Sequence, residues 1–433
     1  MNIRADKVDT EKAAANSTPW EMLRSEFESF LSGQGAGESL AGLQMVSTPM
    51  DALWDNETYG TWLAWETWAN NIPIWGPVYQ PSAGNRVTDA YIQVLNNIDV
   101  PDVADPAAKK RADALRGEIA KINDQIGNLQ DQLGEAWMKF DAGQKGLPPN
   151  RRTSFDSWYA QHYGAKIAGL TTQMSGLMGD FASASNKAGG GYQSVGQAIL
   201  NFNNPAFQMQ ETDQSGAQLS YRTWSLQPDL KSWIEEVKRG QASTLNLTIT
   251  THTKTESKTQ WGASAKAGFL YGIFNFGGSG GGTHLNVDTN ETDFRMTWAA
   301  KGFTAVRIAA GQWYSQQVLQ TFKNGPWLPS GPFGSGAAQP YGQKGTFALQ
   351  PVVIYVAYQP SVSATVDQKT YSEVKTTWQA GLEVGIGPFT FGGSTQGSKD
   401  DAKWDDANRS FTITSASEHP QVIAVLNNVM PGN

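Results

Sequence analysis

The chain contains no cysteine and few charged residues. Among its 433 residues the charged ones make up 17%, and the net charge is −7. The absence of cysteine excludes disulfide bonds and thiolate-bound metals. A mildly acidic chain without a basic cluster argues against nucleic acid as a partner.

Targeting signals are also missing. The opening residues M-N-I-R-A-D-K-V-D-T-E-K have no apolar core of the signal-peptide kind, and no apolar run reaches the length of a transmembrane helix. We therefore expect a protein that is made soluble and is either cytoplasmic or released by a non-classical route.

The chain lacks the common patterns of catalytic and metal sites. Its histidines are His162, His252, His284 and His419. None has a partner at a zinc-binding spacing, and the chain has neither a nucleophile elbow nor a phosphate-binding loop. We therefore expect no enzyme, with no catalytic residue, cofactor or metal.

Four aspartates cluster near the end of the chain: Asp400, Asp401, Asp405 and Asp406. Their spacing differs from that of an EF-hand calcium loop. A charged, solvated hairpin explains them better than a calcium site.

Two stretches alternate between apolar and small or polar residues. The apolar positions of the first are Trp261, Ala263, Ala265, Ala267, Phe269, Tyr271 and Ile273, followed by Phe274 and Phe276 in F-N-F-G-G-S. Those of the second are Trp378, Ala380, Leu382, Val384 and Ile386, followed by Phe389 and Phe391 in F-T-F-G-G-S. Alternation with period two predicts β-strands with one apolar face, and the glycine clusters predict turns.

The two stretches belong to a duplicated unit. T-W-S-L-Q-P at Thr223 matches T-F-A-L-Q-P at Thr346, and residues 244–261 align without gaps on residues 361–378. The F-x-F-G-G-S turns and two later strand segments recur in the same order. Five landmarks in one order indicate an internal duplication.

The preceding part of the chain is helical in pattern. One heptad stripe consists of Leu115, Ile119, Ile122, Ile126, Leu129, Leu133, Ala136 and Phe140. A second consists of Ile167, Leu170, Met174, Leu177, Phe181 and Ala184. Two such stripes joined by a Pro/Gly connection predict an antiparallel helical hairpin.

An aromatic patch precedes the hairpin and includes Trp54, Trp62, Trp65, Trp68 and Trp75. These rings could form a surface for sugar rings, choline headgroups or a membrane interface. The alternative is that they form a hydrophobic plug between neighbouring segments, and this alternative is favoured.

These patterns predict an α+β protein. Its parts are a polar segment over residues 1–44, a helical domain over 45–215 with the hairpin at about 106–186, and an antiparallel β domain over 216–433. The β domain contains repeats at about 221–323 and 344–433, joined by a Pro/Gly-rich connection. A short helix is also expected around Trp20–Leu31.

The C-terminal part resembles a family of uncharacterised fungal and bacterial proteins. The resemblance rests on Arg307, Trp313 and Trp327, then L-Q-P-V-V-I, G-P-F-T-F-G-G-S and P-Q-V-I-A, and covers roughly the last 200 residues. It supports the boundary of the β domain and implies no function.

Three functions fit the sequence. The first is a membrane-acting protein of the β-pore-forming type, a homo-oligomer that inserts a glycine-rich hairpin; the first alternating stretch suits insertion better, because aspartates follow the second. The second is a self-assembling structural or interaction protein whose amphipathic sheet packs in a core or subunit interface. The third, which rests on the tryptophans alone, is a glycan-binding module.

Overall fold

The computed structural model describes residues 20–21, 23–34, 39–51, 65–66, 68–144, 153, 155–212, 218–250, 273–276, 295–392 and 400–432. Helices dominate the N-terminal part of this chain and antiparallel strands the C-terminal part, which confirms the α+β class.

The helices are α1 (residues 20–21 and 23–33), α2 (65–66 and 68–70), α3 (Val87–Asn97), α4 (Pro106–Gln144), α5 (Phe155–Tyr159), α6 (Ala165–Ala188), α7 (Gly191–Asn203), α8 (Leu230–Lys238), α9 (Gln316–Thr321) and α10 (Gln368–Gln379). A π-helical turn, Ala160–Gly164, joins α5 to α6.

The strands are β1 (Leu43–Asp51), β2 (Asn71–Pro73), β3 (Pro81–Arg86), β4 (Gln208–Thr212), β5 (Gln218–Arg222), β6 (Trp224–Gln227), β7 (Leu245–Thr250), β8 (Phe274–Phe276), β9 (Arg295–Ala310), β10 (Leu349–Thr365), β11 (Val384–Ile386), β12 (Phe389–Phe391), β13 (Asp401–Asp405), β14 (Ser410–Thr414) and β15 (Gln421–Val429).

Helices α4 and α6 form the antiparallel hairpin that the two heptad stripes predict. Near one end, Arg111 Nη2 lies 3.3 Å from Asp180 Oδ2. Near the other end, Leu133 and Trp158 form a buried cluster with Ile167 packed against it. Because early residues of α4 meet late residues of α6, the two arms run in opposite directions.

Two long strands form the centre of the main sheet. β9 and β10 pair from Arg295 opposite Thr365 to Arg307 opposite Val353. The other side of β9 pairs with β7 and β6, and the other side of β10 pairs with β14 and β15. β1 lies beside β15, and β13 lies beside β14. One end of the sheet therefore has the strand order β7-β9-β10-β14, with β13 on its outer edge.

The first described residues pack against this sheet or pair with it. α1 buries Trp20, Leu23, Phe27 and Leu31 in the same core as the sheet, which confirms the helix expected there. β1 then pairs with the last strand of the chain. The boundary predicted at residue 45 falls inside β1.

The strand pairing repeats in the two units of the β domain. Thr248 Oγ1 lies 2.9 Å from Thr297 Oγ1 in the first unit, and Ser363 Oγ lies 2.8 Å from Thr412 Oγ1 in the second. Both contacts join residues 49 apart, so the units correspond at an offset of 115 residues. The ungapped sequence match of their Ser/Thr-rich strands gives an offset two residues larger. A shift of two keeps every side chain on its face of the sheet, so the hydrophobic pattern alone cannot detect it.

The strand predicted from Trp378 to Ile386 is wrong. Residues 368–379 form α10, and strand structure begins only at Val384. Asp367 accepts hydrogen bonds from the backbone N–H groups of residues 369 and 370, which starts a helix. Tyr371 and Val374 are buried at helical spacing, and this face competes with the period-two pattern.

Different cores cover the two faces of the main sheet. Ile354 and Val356 of β10 belong to one core together with Trp313. Tyr355, between them, belongs to the other core together with Trp298. Since neighbouring side chains of a strand point to opposite faces, the sheet separates the helical part from the layer that contains α1.

Glu66, a buried residue of α2, provides a test of this packing. Its Oε1 accepts a hydrogen bond from Asn70 Nδ2 at 2.6 Å, and burial raises its pKa above the ordinary value of 4.5. The free energy of unfolding therefore falls as the pH rises from the ordinary pKa of a glutamate to the raised pKa of Glu66, because the buried carboxyl group then becomes charged. We expect Glu66→Gln to raise the Tm by a few degrees at pH 7 and to leave it unchanged at pH 4. An equal change at both pH values, measured by thermal unfolding, would contradict this assignment.

Candidate functional site

Two long insertions leave the same end of the main sheet. Thr250, the last residue of β7, lies opposite Arg295 of β9, and Thr365, the last residue of β10, lies opposite Ser410 of β14. Arg295 and Thr365 also lie opposite each other, so both insertions start at one level. We call residues 251–294 the first insert and residues 366–409 the second insert. The structure describes residues 273–276 of the first, and 366–392 and 400–409 of the second.

Strands from both inserts pair with each other in a small sheet. β11, from the second insert, is flanked by β12 from the same insert and by β8 from the first. Phe274 and Phe389 both lie opposite Ile386, and Phe276 and Phe391 both lie opposite Val384. The F-x-F motifs of the two units therefore occupy equivalent places on either side of one strand.

The small sheet has the same register as the main sheet. β8 is separated from β9 by residues 277–294, β11 from β10 by residues 366–383, and β12 from β14 by residues 392–409. Each of these three segments contains eighteen residues. If β9, β10 and β14 were extended as straight strands, β8, β11 and β12 would therefore meet in the pairs that they already form.

The small sheet packs against the main sheet at Trp298 of β9. The rings of Trp298 and Phe389 meet edge to face with centroids 5.4 Å apart. Gly387, between β11 and β12, has a φ of 60° and lies so close to the Trp298 ring that a Cβ there would collide with it. The N–H of Gly387 also donates to the carbonyl oxygen of Ile273 at 2.7 Å. The absence of a side chain at Gly387 lets the two sheets approach.

The rest of the second insert folds back along the main sheet. β13 pairs with β14 from Asp401 opposite Thr414 to Asp405 opposite Ser410. The carboxylate of Asp406 accepts hydrogen bonds from Tyr371 Oη and Lys375 Nζ, both at 2.6 Å, and so ties α10 to β13. The bond from Lys375 lowers the pKa of Asp406 below its ordinary value.

The structure brings together six of the predicted membrane or interface residues in the small sheet: Phe274, Phe276, Val384, Ile386, Phe389 and Phe391. Phe274 is 6% exposed, and the side chains of the last four are fully buried. Ile273, just before β8, is buried as well. Trp378 is half-buried on α10, and Leu382 is 51% exposed. The remaining predicted residues, Trp261, Ala263, Ala265, Ala267, Phe269 and Tyr271, lie outside the described part of the chain.

The aromatic patch divides into buried and exposed residues. Trp65 and Trp68 are each 4% exposed, and this agrees with the interpretation as a hydrophobic plug. Trp75 is 37% exposed. Trp54 and Trp62 lie outside the described residues.

Sequence reasoning missed the groups that hold the inserts in place. Trp298, Gly387 and Gln421 lie far apart in the sequence and share no motif. Gln421 Nε2 donates to the carbonyl oxygen of Thr390 at 3.2 Å and thereby fixes β12 to the start of β15. Only the positive φ of Gly387 could be expected from the sequence, because Gly387 and Pro388 form a short turn between the apolar positions of β11 and those of β12.

A comparison of the chain with protein-family models, curated proteins and solved structures finds no match. The resemblance of the C-terminal part to a family therefore stays a prediction. Within the described residues, no group of acidic or histidine side chains could hold a metal ion. No helix among the same residues is long and apolar enough to cross a membrane.

The contact at Gly387 can be tested with a matched pair of substitutions. Gly387 and Gly381 both have positive φ, but Gly381 has no neighbouring atom where a Cβ would lie. We expect Gly387→Ala to cost about 1–3 kcal/mol more than Gly381→Ala, because only the first adds overpacking to backbone strain. Urea unfolding of both variants measures the difference. Equal losses would show that Trp298 does not confine the turn.

Proposed function

We propose that this protein acts on membranes by inserting β-hairpins formed from both inserts, after several copies of the chain associate. The observation that carries the proposal is the shared register of the small and main sheets. A small sheet that served only as core packing would need no relation to the strand pairing of the main sheet. If the small sheet is instead the far end of hairpins that continue the main sheet, the three connecting segments must have equal lengths to keep the strands in register.

The inserts are long enough to cross a bilayer. Eighteen residues in an extended strand cover about 60 Å at roughly 3.3 Å per residue. The hydrocarbon core is about 30 Å thick, and a tilted spanning strand needs about 9–11 residues. Each limb can therefore span the bilayer near its tip and still connect to the main sheet above it.

The first insert has the residue pattern of a spanning hairpin. In the inserted state that we propose, the register of β7 and β9 continues, so that Trp261 stands opposite His284 and Tyr271 opposite Phe274. One face then carries Trp261, Ala263, Ala265, Ala267, Phe269, Tyr271, Phe274 and Phe276, with Gly278, Gly280 and Gly282 opposite the alanines. Lys266 falls on the opposite face. An apolar outer face and a polar inner face are what a membrane β-barrel requires.

The second insert can also form a spanning hairpin, because its register places the aspartates close to the main sheet. In the register of β10 and β14, Trp378 stands opposite Gly397, and Ile386 stands opposite Phe389 at the tip. Lys375 and Asp400 then stand opposite each other, three pairs closer to the main sheet than Trp378. The aspartates therefore fall outside the apolar band, which removes the objection to this insert. The change requires α10 to become a strand and β13 to leave β14.

Movement of β13 would also prepare the chain for assembly. β13 covers the outer edge of β14, so the described sheet cannot add a strand there. When β13 leaves, β14 has a free edge at one side of the four-stranded region, and at the other side β7 pairs with β9 alone among the described strands. Pairing of these edges between copies would form a closed ring, which a β-structure in lipid needs.

The alternative function is a self-assembling structural or interaction protein. It is favoured by the full burial of Val384, Ile386, Phe389 and Phe391, which a permanent core explains without any rearrangement. The two proposals differ in whether the second insert must move.

Two engineered disulfides test this difference, and the absence of native cysteine makes them unambiguous. Asp401→Cys/Thr414→Cys joins opposed residues of β13 and β14 and holds the second insert in place. Asn275→Cys/Gly385→Cys joins opposed residues of β8 and β11, which stay paired in the inserted state. Opposed strand residues lie within the reach of a disulfide. We expect the first disulfide to abolish dye release from phosphatidylcholine vesicles and the second to permit it.

Reduction of the disulfides supplies the control. Dithiothreitol should restore dye release by the β13–β14 variant to the wild-type level and leave the other variant unchanged. Release that is blocked only by the β8–β11 disulfide would mean that the first insert moves alone. If the wild-type protein releases no dye and sediments as a large particle, the assembly function is the correct one.

A further inference from the structure

The loop between β2 and β3 carries two adjacent exposed apolar side chains. Ile74 is 53% exposed and Trp75 is 37% exposed, although most apolar side chains of the described chain are buried. Pro73 precedes the pair, and Gly76 and Pro77 follow it. Adjacent exposed apolar side chains on a Pro-bounded loop are typical of an interaction surface.

A buried amide network holds this loop in place from inside the protein. Gln44 of β1 is 2% exposed, and its Nε2 donates to the carbonyl oxygens of Ile74 at 2.8 Å and Gly76 at 2.9 Å. Gln44 Oε1 in turn accepts a hydrogen bond from Asn427 Nδ2 at 3.0 Å. Asn427 is itself 2% exposed and lies on β15. Two buried amide side chains therefore help to set the shape of the loop.

Part of the backbone of the loop makes hydrogen bonds within the protein. The N–H of Ile74 donates to the carbonyl oxygen of Gln80, and that of Tyr79 donates to Met45, both at 2.8 Å. The carbonyl oxygen of Pro77 accepts from the N–H of Met45 at 2.8 Å. Since unsatisfied backbone groups keep irregular loops out of an apolar medium, these hydrogen bonds lower the cost of moving this part of the loop out of water.

The loop lies in the middle of a stretch without charge. Residues 67–85 contain no Asp, Glu, Lys or Arg. An anionic surface is recognised through Lys and Arg side chains, and this stretch has none. Tryptophan is favoured at the boundary between lipid headgroups and hydrocarbon. The composition and the geometry both fit that environment.

We propose that the loop with Ile74 and Trp75 is the surface by which the protein first binds a bilayer of zwitterionic phospholipid. This inference rests on the proposed membrane function, and it names a contact that is separate from both inserts. Binding at the loop depends on apolar area and on tryptophan, so salt does not weaken it.

The first experiment measures co-sedimentation with phosphatidylcholine vesicles. We expect Ile74→Ser/Trp75→Ser to reduce partitioning at least tenfold, since each side chain contributes more than enough apolar area for such a change. Phe140→Ser is the matched control, because Phe140 is 37% exposed and lies in α4, which contributes no residue to the loop or to its amide network. The control should bind like the wild-type protein, and the partitioning of each of the three proteins should be the same at low salt as at high salt.

A second measurement does not depend on removing the apolar side chains. Gly76 has open space where a Cβ would lie, so Gly76→Cys can carry a polarity-sensitive dye without disturbing the fold. We expect the emission of this dye to shift to the blue on vesicles. Unchanged emission, or equal binding by the double variant and the wild-type protein, would overturn the proposal. Normal binding without dye release would contradict hairpin insertion instead, so the two proposals fail in different ways.

Discussion

Strand register is the constraint on which this structure depends. β9 and β10 fix one set of pairs along the centre of the main sheet, and β8, β11 and β12 keep the same set at the far ends of the inserts. Register in a sheet with one buried face is strongly specified, because a shift of one residue moves every apolar side chain to the wrong side. The second insert satisfies this constraint while part of it is a helix, which suggests that its sequence is adapted to two arrangements.

In the proposed membrane function the same apolar side chains would serve both arrangements. Val384, Ile386, Phe389 and Phe391 are fully buried against the main sheet, and full burial of each is worth about 1.5–3 kcal/mol. Their exposure to water would cost most of a typical domain's stability. In the proposed function a bilayer would supply a second apolar environment for the same face, so the inserts would leave the core only where lipid is present. The loop with Trp75 would bring the protein to that place.

The sequence predicted the helical hairpin and the duplicated β unit, because long stripes and a duplication are carried by many residues at once. It failed at Trp378, where the alternation with Val384 and Ile386 is compatible with a strand and yet a capped helix forms. This segment carries both a period-two pattern and a helical pattern, and neither pattern alone shows which structure forms. The contacts of Trp298 with Gly387, and of Gln44 with the loop, depend on residues distant in sequence. No local signal identifies them.

The most direct test of the central claim is a distance between the small sheet and the main sheet. Spin labels at Thr390→Cys and Glu418→Cys report it, because Gln421, three residues after Glu418, contacts the backbone of Thr390. In solution the labels should lie close together. On phosphatidylcholine vesicles the account predicts a distance beyond about 60 Å, the length of twenty extended residues between Thr390 and Ser410. A short distance that persists in vesicle-bound protein that releases dye would contradict the extension of the second insert.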